Sequence, residues 1–162
     1  MTLRWELVGR GEELELLRAA LADVGTRGAA LSGAPGVGKT RLATELLEHA
    51  ADQGWATQWA VGNRAVASVP FGAFAHLLPP GDDIATSSPE VLRRVGDELR
   101  RRSNNRPLAL GVDDAHLLDG ASARLTHLLA ASGYAFVVVT VRCGERVPDA
   151  ISSLWQDGLV ER

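Results

Sequence analysis

The feature that most constrains this chain is the glycine-rich stretch Gly33–Thr40, which matches the phosphate-loop pattern G-x-x-x-x-G-K-[ST] at every fixed position. Its Lys39 is the only lysine among 17 lysine and arginine residues. Arginine serves at every other basic position, whereas a loop wrapped around phosphates needs a compact ammonium group on a flexible stem. The motif therefore predicts a nucleotide site between a strand and a helix.

The flanking patterns agree with that context. A short apolar strand, 28–32, leads into the loop, and a helix with leucines at helical spacing follows Thr40 and ends near Gly54. Similar patterns predict strands at 55–61, 108–112 and 135–141, a last strand starting at Leu159, and helices near 12–24, 71–78, 89–99, 122–132 and 149–155. The alternation predicts an α/β fold with three αβα layers and a central, mostly parallel five-stranded sheet.

Length and composition are those of one globular domain over residues 1–162, with 46% hydrophobic and 23% charged residues. The net charge of −3 gives no overall basic field for nucleic acid. The arginines between positions 93 and 106 fit either a solvated helix end or a binding patch. A single cysteine, Cys143, and the lack of a signal-peptide or membrane-spanning apolar run favour a cytoplasmic protein.

The phosphate loop is the first candidate site. Backbone N–H groups from Ala34 to Thr40 should surround the β-phosphate at the positive end of the following helix. Lys39 would bridge the β- and γ-phosphates, and the Thr40 hydroxyl would ligate Mg²⁺. The predicted nucleotide contacts in this segment are Gly33, Ala34, Pro35, Gly36, Val37, Gly38, Lys39, Thr40 and Arg41. The alternative is a glycine-rich turn with no ligand.

Two carboxylates, Asp113 and Asp114, close the strand 108–112 about 75 positions after Lys39. A carboxylate at the end of a strand beside a phosphate loop can hold hydrated Mg²⁺, and a second can orient or deprotonate an attacking water. Adjacent strand-end residues point apart, so we assign Asp113 to magnesium and Asp114 to water. Gly111 is unusual within this strand because glycine weakens strand interiors.

Arg142 follows the strand 135–141. If that strand lies between the loop strand and the Asp113 strand, its end faces the γ-phosphate, which Arg142 could sense or stabilise. The alternative is a solvent-exposed loop arginine. His116 could contact the acidic pair or have a structural role, and the roles of Asn63 and Arg64 stay open. The remaining histidines have no metal-ligand spacing, so we expect no metal beyond magnesium brought by the nucleotide.

Three segments together carry a resemblance. Leu7-Val8-Gly9-Arg10 before a leucine-rich helix, the loop 33–40, and Val112-Asp113-Asp114-Ala115-His116-Leu117-Leu118-Asp119 occur in that order, followed by Thr140-Val141-Arg142-Cys143-Gly144-Glu145. The chain resembles, over nearly its whole length, the STAND-type AAA ATPase module, an ASCE P-loop NTPase. Its nearest resemblance is to the large ATP-binding LuxR-type bacterial transcription regulators.

The resemblance implies ATP or ADP with Mg²⁺ as ligands. Val8, Gly9 and Arg10 would lie near adenine and ribose, Asp113 and Asp114 would be the Walker B pair, and Arg142 the sensor 1 arginine. In such regulators the nucleotide sets an open or closed state, and a C-terminal helix-turn-helix binds DNA. The implied partners are other domains of the parent regulator and, in one nucleotide state, a second copy.

The chain also departs from that family. Nothing after Arg162 supplies the helical lid, with its Gly-x-Pro motif, or the DNA-binding segment. We therefore expect an excised nucleotide-binding domain, or a very short homologue, that binds nucleotide more weakly and does not bind DNA by itself.

Three functions remain open at this point: a regulatory ATPase with slow hydrolysis, a small P-loop kinase, and a non-catalytic interaction domain that holds nucleotide for stability. The acidic pair suits activation of water, and the sequence contains no arginine-rich segment that would cover the phosphates. Both observations favour the ATPase over the kinase.

Overall fold

The computed structural model describes residues 9–78 and 89–161. Helices and strands alternate along the chain. In order they are α1 (Gly11–Ala22), β1 (Gly28–Gly33), α2 (Lys39–Asp52), β2 (Ala56–Val61), a 3₁₀ helix (Gly72–Leu77), α3 (Pro89–Arg102), β3 (Leu108–Asp113), a second 3₁₀ helix (Ala115–Leu117), α4 (Gly120–Ala131), β4 (Phe136–Arg142) and α5 (Asp149–Gln156). These elements match the predicted pattern, with the segment near 71–78 forming a 3₁₀ helix. The predicted helix cap at Ser88 lies outside the described residues.

The four strands form one parallel sheet in the order β1-β4-β3-β2. Strand β4 therefore lies between the loop strand and the strand that ends in Asp113, as the sequence analysis required. Gly33 pairs in register with Arg142, so the carboxyl ends of β1 and β4 coincide. After β1 the chain continues at β2, on the far side of β3 and β4, and β4 later fills the place beside β1. Such a crossover is typical of the topological switch points where α/β sheets bind ligands.

A further segment starts to pair along the outer edge of β1. The amide of Arg27 donates to the Leu159 carbonyl over 2.9 Å, and the amide of Ala30 donates to the Glu161 carbonyl over 2.7 Å. Glu161 forms an isolated parallel bridge with Ala29. The described part of the sheet thus has four full strands, with the start of the fifth where the sequence predicted it.

Helices cover both faces of the sheet and complete three αβα layers. On one face, α1 and α2 pack their leucines against alternate residues of β3 and β4, including Phe136 and Val138. On the other face, α3, α4 and α5 pack against Leu110, Val137 and Val139. The apolar residues of β4 are therefore buried on both sides, which explains its continuous β-branched run. No helix in the described ranges is long and apolar enough to cross a membrane.

The glycine within β3 has a packing cause. A Cβ atom on Gly111 would lie 2.1 Å from Cε3 of Trp59 and 3.2 Å from Cδ2 of Leu47. Trp59 is the register partner of Gly111 on β2, so its indole ring lies across the neighbouring strand and beneath α2. Glycine is needed here because the ring occupies the place of a side chain.

Candidate nucleotide-binding site

The loop between β1 and α2 has the backbone geometry of an anion cradle. Gly36 and Gly38 have φ of 76° and 90°, and a Cβ atom on either would meet nothing within 4 Å. These glycines are therefore required for their left-handed conformation and not for lack of space. Helix α2 starts at Lys39, directly after the loop, so its free N–H groups and positive dipole end point into the cradle.

Lys39 is only 8% exposed although it carries a charge. Its Nζ donates to the carbonyl oxygens of Gly33 and Ala34 over 2.9 and 2.8 Å. Burial of an ammonium group is costly unless polar partners surround it, and carbonyl dipoles compensate the charge only partly. An anion in the cradle would give the ammonium the opposite charge that these carbonyls lack.

Thr40 and Asp113 meet across the gap between α2 and β3. The Thr40 hydroxyl donates to both carboxylate oxygens of Asp113, over 2.9 and 3.0 Å. A hydroxyl and a carboxylate at the edge of a phosphate cradle are the hard oxygen donors that Mg²⁺ takes alongside nucleotide phosphates. The residues present therefore fit a nucleotide-borne magnesium ion.

Thr140 on β4 links the Asp113 carboxylate to the backbone of Asp114. Its hydroxyl donates to Oδ1 of Asp113 over 2.6 Å and accepts from the backbone amide of Asp114 over 2.9 Å. The side chain is almost fully buried. The sequence analysis missed Thr140, although a lone hydroxyl in the apolar run before Arg142 was a signal that could have identified it.

Asp114 adopts a left-handed backbone conformation, with φ of 48°, which is uncommon for a residue with a side chain. Gly62 makes this possible, because a Cβ atom there would lie 2.2 Å from the Asp114 carbonyl oxygen. The amide of Leu117 donates to that same oxygen over 2.8 Å. The Asp114 carbonyl thus lies between Gly62, the residue after β2, and the turn that follows β3.

Arg142 reaches the carboxylate of Asp114 with two donors. Its Nε lies 3.3 Å from Oδ1 and its Nη2 lies 3.3 Å from Oδ2. The two side chains are 41% and 27% exposed, so the pair is open to solvent on one side. The Cys143 amide donates to the Gly33 carbonyl over 3.2 Å, which ties the end of β4 to the start of the loop. Arg142 therefore lies at the cradle and not in a remote solvent-exposed loop.

His116 lies beneath this ion pair, with only 2% of its side chain exposed. Its Nδ1 is 3.9 Å from Oδ1 of Asp114, too far for a hydrogen bond, and has no hydrogen-bond partner among the described residues. Burial lowers the pKa of His116, an effect that Asp114 opposes and Arg142 reinforces. Contact with the acidic pair was one of the two roles considered for His116, and the structure shows a near approach without a hydrogen bond.

The remaining predicted site residues are Val8, Gly9, Arg10 and Arg41. Arg10, before α1, lines a cavity of about 560 Å³ together with Lys39, Leu42 and Ser32. Gly9 precedes Arg10 with φ of 84°, and Val8 lies outside the described residues. The side chain of Arg41 pairs with Glu45 within α2.

Asn63 and Arg64 follow Gly62 in the turn after β2. The Asn63 side chain accepts from the Ala65 amide over 2.9 Å and so stabilises the turn after β2. Arg64 is exposed.

The fold and this cradle define a P-loop ATPase domain of the αβα class. Residues 6–139 match the family of the AAA ATPase domain, which covers most of the chain, so the chain belongs to that family. No curated protein matches the chain significantly.

Solved structures share the fold. Cdc6p from Pyrobaculum aerophilum is similar over 98% of this chain and 46% of its own, with 22% identity and a TM-score of 0.66. The ORC2 protein of Aeropyrum pernix, in ADPNP–ADP complexes, is similar over 98% and 48%, with 18% identity and a TM-score of 0.58. AMPPCP-bound DnaA from Aquifex aeolicus is similar over 96% and 48%, with 20% identity and a TM-score of 0.57. The chain thus spans slightly less than half the length of each.

Proposed function

We propose that this chain is the ATP-binding, slowly ATP-hydrolysing regulatory domain of a STAND-class, LuxR-type transcription regulator, in which ATP or ADP sets the state of the protein. One observation carries the proposal. Residues from the start of α2 and from the ends of β3 and β4 meet at one edge of the sheet: Lys39, Thr40, Asp113, Asp114 and Arg142. Each has the chemistry that a Mg²⁺-nucleotide requires at that place.

Binding uses the cradle from Gly33 to Arg41. Its N–H groups surround the β-phosphate, and Lys39 exchanges the two loop carbonyls for β- and γ-phosphate oxygens. Thr40 and Asp113 would hold Mg²⁺, which supplies neutralisation of phosphate charge when bound. The base and ribose extend towards Arg10, because Arg10 lines the same cavity as Lys39. The other two predicted contacts are its neighbour Gly9 and Val8, which lies outside the described residues.

Hydrolysis follows from the positions of Asp114 and Arg142. Asp114 accepts a proton from a water whose oxygen bonds to the γ-phosphorus, while the bond from that phosphorus to the β–γ bridging oxygen breaks and ADP leaves. Arg142 and Lys39 neutralise the charge that spreads over the phosphoryl oxygens. We expect slow turnover, because Arg142 holds both carboxylate oxygens of Asp114 before nucleotide binds.

The proposed partners follow the same interpretation. They are the other domains of a parent regulator and, in one nucleotide state, a second copy of the chain. The net charge of −3 supports the view that this segment does not bind DNA directly. We place the protein in the cytoplasm, where its single exposed thiol, Cys143, would stay reduced.

Substitution of Lys39 tests the binding site. We expect Lys39→Ala to weaken Mg·ATP binding by at least about a hundredfold, since a charge-assisted contact to two phosphates is lost without a replacement. Isothermal titration calorimetry of parent and variant measures this. Arg93→Ala removes an exposed arginine on α3 and is the control. Equal affinity of Lys39→Ala and the parent would show that the nucleotide does not bind in this loop.

The alternatives make different products. Phosphate released into solution supports the ATPase, whereas phosphate transferred to a small acceptor supports a kinase. A tightly held nucleotide that is recovered unchanged after denaturation supports a non-catalytic domain. The switch itself is tested by light scattering with Mg·ADP and with a non-hydrolysable ATP analogue. An identical mass and an identical protease-cleavage pattern in both would contradict nucleotide control of the state.

A further inference from the structure

We infer that His116 is a positioning residue for ATP hydrolysis. When Arg142 leaves the Asp114 carboxylate for the terminal phosphate, His116 binds that carboxylate through its Nδ1–H. The inference rests on the proposed function, because it assigns a partner to the group that activates water. The sequence alone left the role of His116 open.

The first observation is a buried nitrogen without a hydrogen bond. His116 has 2% of its side chain exposed, and among the described residues its Nδ1 has no hydrogen-bond partner. Buried polar atoms in folded proteins are nearly always paired, so an unpaired one needs a physical reason. Such an atom is explained if its partner is bound in another state of the same site.

The second observation is which oxygen lies nearest to that nitrogen. Oδ1 of Asp114 is 3.3 Å from Nε of Arg142 and 3.9 Å from Nδ1 of His116. One carboxylate oxygen thus lies between two possible donors and is bound to the one that is partly exposed. A displacement of about 1 Å would bring it within hydrogen-bond distance of His116.

The backbone restricts which atoms can make that displacement. Gly62 and Thr140 hold the backbone of Asp114 on two sides. The carboxylate can therefore change partner by side-chain rotation alone, without movement of β3. The charged end of Arg142 has more freedom, because its side chain is 41% exposed.

The exchange has a chemical consequence. Arg142 covers both oxygens of Asp114, and a carboxylate in that state is a poor acceptor for a proton from water. A terminal phosphate competes for the guanidinium group because it offers more negative charge. His116 would then bind Oδ1 only and leave Oδ2 free to accept the proton. A neutral imidazole suits this role, and burial favours the neutral form of His116.

The first test observes the imidazole directly by ¹⁵N NMR of histidine-labelled protein, with His116→Asn used to assign the signal among the four histidines. We expect the neutral imidazole of His116 to carry its proton on Nδ1 and to form a hydrogen bond there. This state should appear in Arg142→Ala without nucleotide, and in the parent with a magnesium-bound, non-hydrolysable ATP analogue. Unchanged His116 signals in Arg142→Ala would overturn the inference. The measurement on Arg142→Ala needs no nucleotide, so it tests the change of hydrogen-bond partner even if the proposed function fails.

The second test uses the position of the donor atom. Asn places an N–H near the place of Nδ1, Gln places one near the place of Nε2, and Leu removes both. We expect kcat for ATP hydrolysis to fall about tenfold in His116→Leu and His116→Gln, with little change in KM, and to stay near the parent value in His116→Asn. Equal kcat in all three variants, or equal loss in all three, would overturn the inference. A parent that binds no Mg·ATP would instead contradict the proposed function.

Discussion

Two groups of charges on this protein contrast sharply. On α3, Glu98 binds Arg101 and Arg102 over 2.8 Å each, and all three residues lie within one turn of helix. At the sheet edge, Asp114 binds Arg142 over 3.3 Å, and these residues are 28 positions apart. The shorter pairs form between sequence neighbours on a solvated surface, whereas the longer pair forms between two strand ends at the nucleotide cradle. A short distance between opposite charges therefore does not by itself mark the candidate site in this molecule.

The surroundings explain the contrast. Hydrogen bonds from Arg101 and then Arg102 lower the pKa of Glu98 to about 2, yet water screens these exposed charges. At the sheet edge Lys39 and His116 are buried, so a change of charge or partner there cannot be screened in the same way. The site keeps its polar groups in contacts that a ligand can displace.

The largest expected effect comes from removal of the carboxylate at the sheet edge. We expect Asp114→Asn to bind Mg·ATP but to hydrolyse it about 10²- to 10⁴-fold more slowly, because an amide cannot accept the proton from water. Asparagine also tolerates the left-handed backbone at this position. Phosphate release measures the effect, with Asp97→Asn on α3 as the control. Turnover equal to that of the parent would remove Asp114 from the reaction.

The next largest effect should come from Gly62, which lies against the backbone carbonyl of Asp114. Gly62→Ala would place a Cβ atom 2.2 Å from the Asp114 carbonyl oxygen, so β2 or the turn after β3 must move. We expect it to lower the free energy of unfolding by about 1–3 kcal/mol. Gly11→Ala is the matched control, since a Cβ atom there meets nothing within 4 Å. Urea denaturation would distinguish the two, and equal stabilities would show that Gly62 does not restrain Asp114.

A smaller effect depends on pH. Burial lowers the pKa of His116 below its ordinary value of about 6.5, so this histidine stays neutral where an unfolded chain takes up a proton. Its contribution to stability is therefore complete above about pH 6.5 and is lost as the pH falls towards its folded pKa. We expect the free energy of unfolding of His116→Asn to fall less than that of the parent as the pH is lowered from 7.5 to 5.5, as measured by urea denaturation. The same loss in both would contradict this assignment.

The smallest effect should come from the best-formed pairs. We expect Glu98→Gln to leave the thermal midpoint at neutral pH nearly unchanged and ATP hydrolysis unaffected, because the Arg101 side chain is 75% exposed and its charge is screened by water. Since the folded pKa is lowered, any stabilisation by Glu98 is present above about pH 4.5 and is lost as the pH falls towards about 2. A large loss of stability at pH 7 would show that exposure is the wrong basis for the comparison.

Much of the fold was predictable because it depends on local patterns. Leucines at helical spacing, β-branched runs and the glycine loop specified the helices and strands. The position of β4 was only the condition for the role expected of Arg142, and the sheet order meets that condition. Gly111 could be recognised as unusual but not explained, because the cause is the Trp59 ring on another strand. The 3₁₀ form of the helix at 72–77 was likewise not apparent from its composition.

The amino-acid sequence by itself determined the kind of site, because a phosphate loop is defined by neighbouring residues whose backbone angles and charge suffice to bind an anion. Only the tertiary structure decided how the site is supported. The hydroxyl of Thr140, the missing side chain of Gly62 and the buried nitrogen of His116 matter through partners on other elements. Parallel strands bring such distant residues to one edge, and their register, which no local pattern records, selects which of them meet.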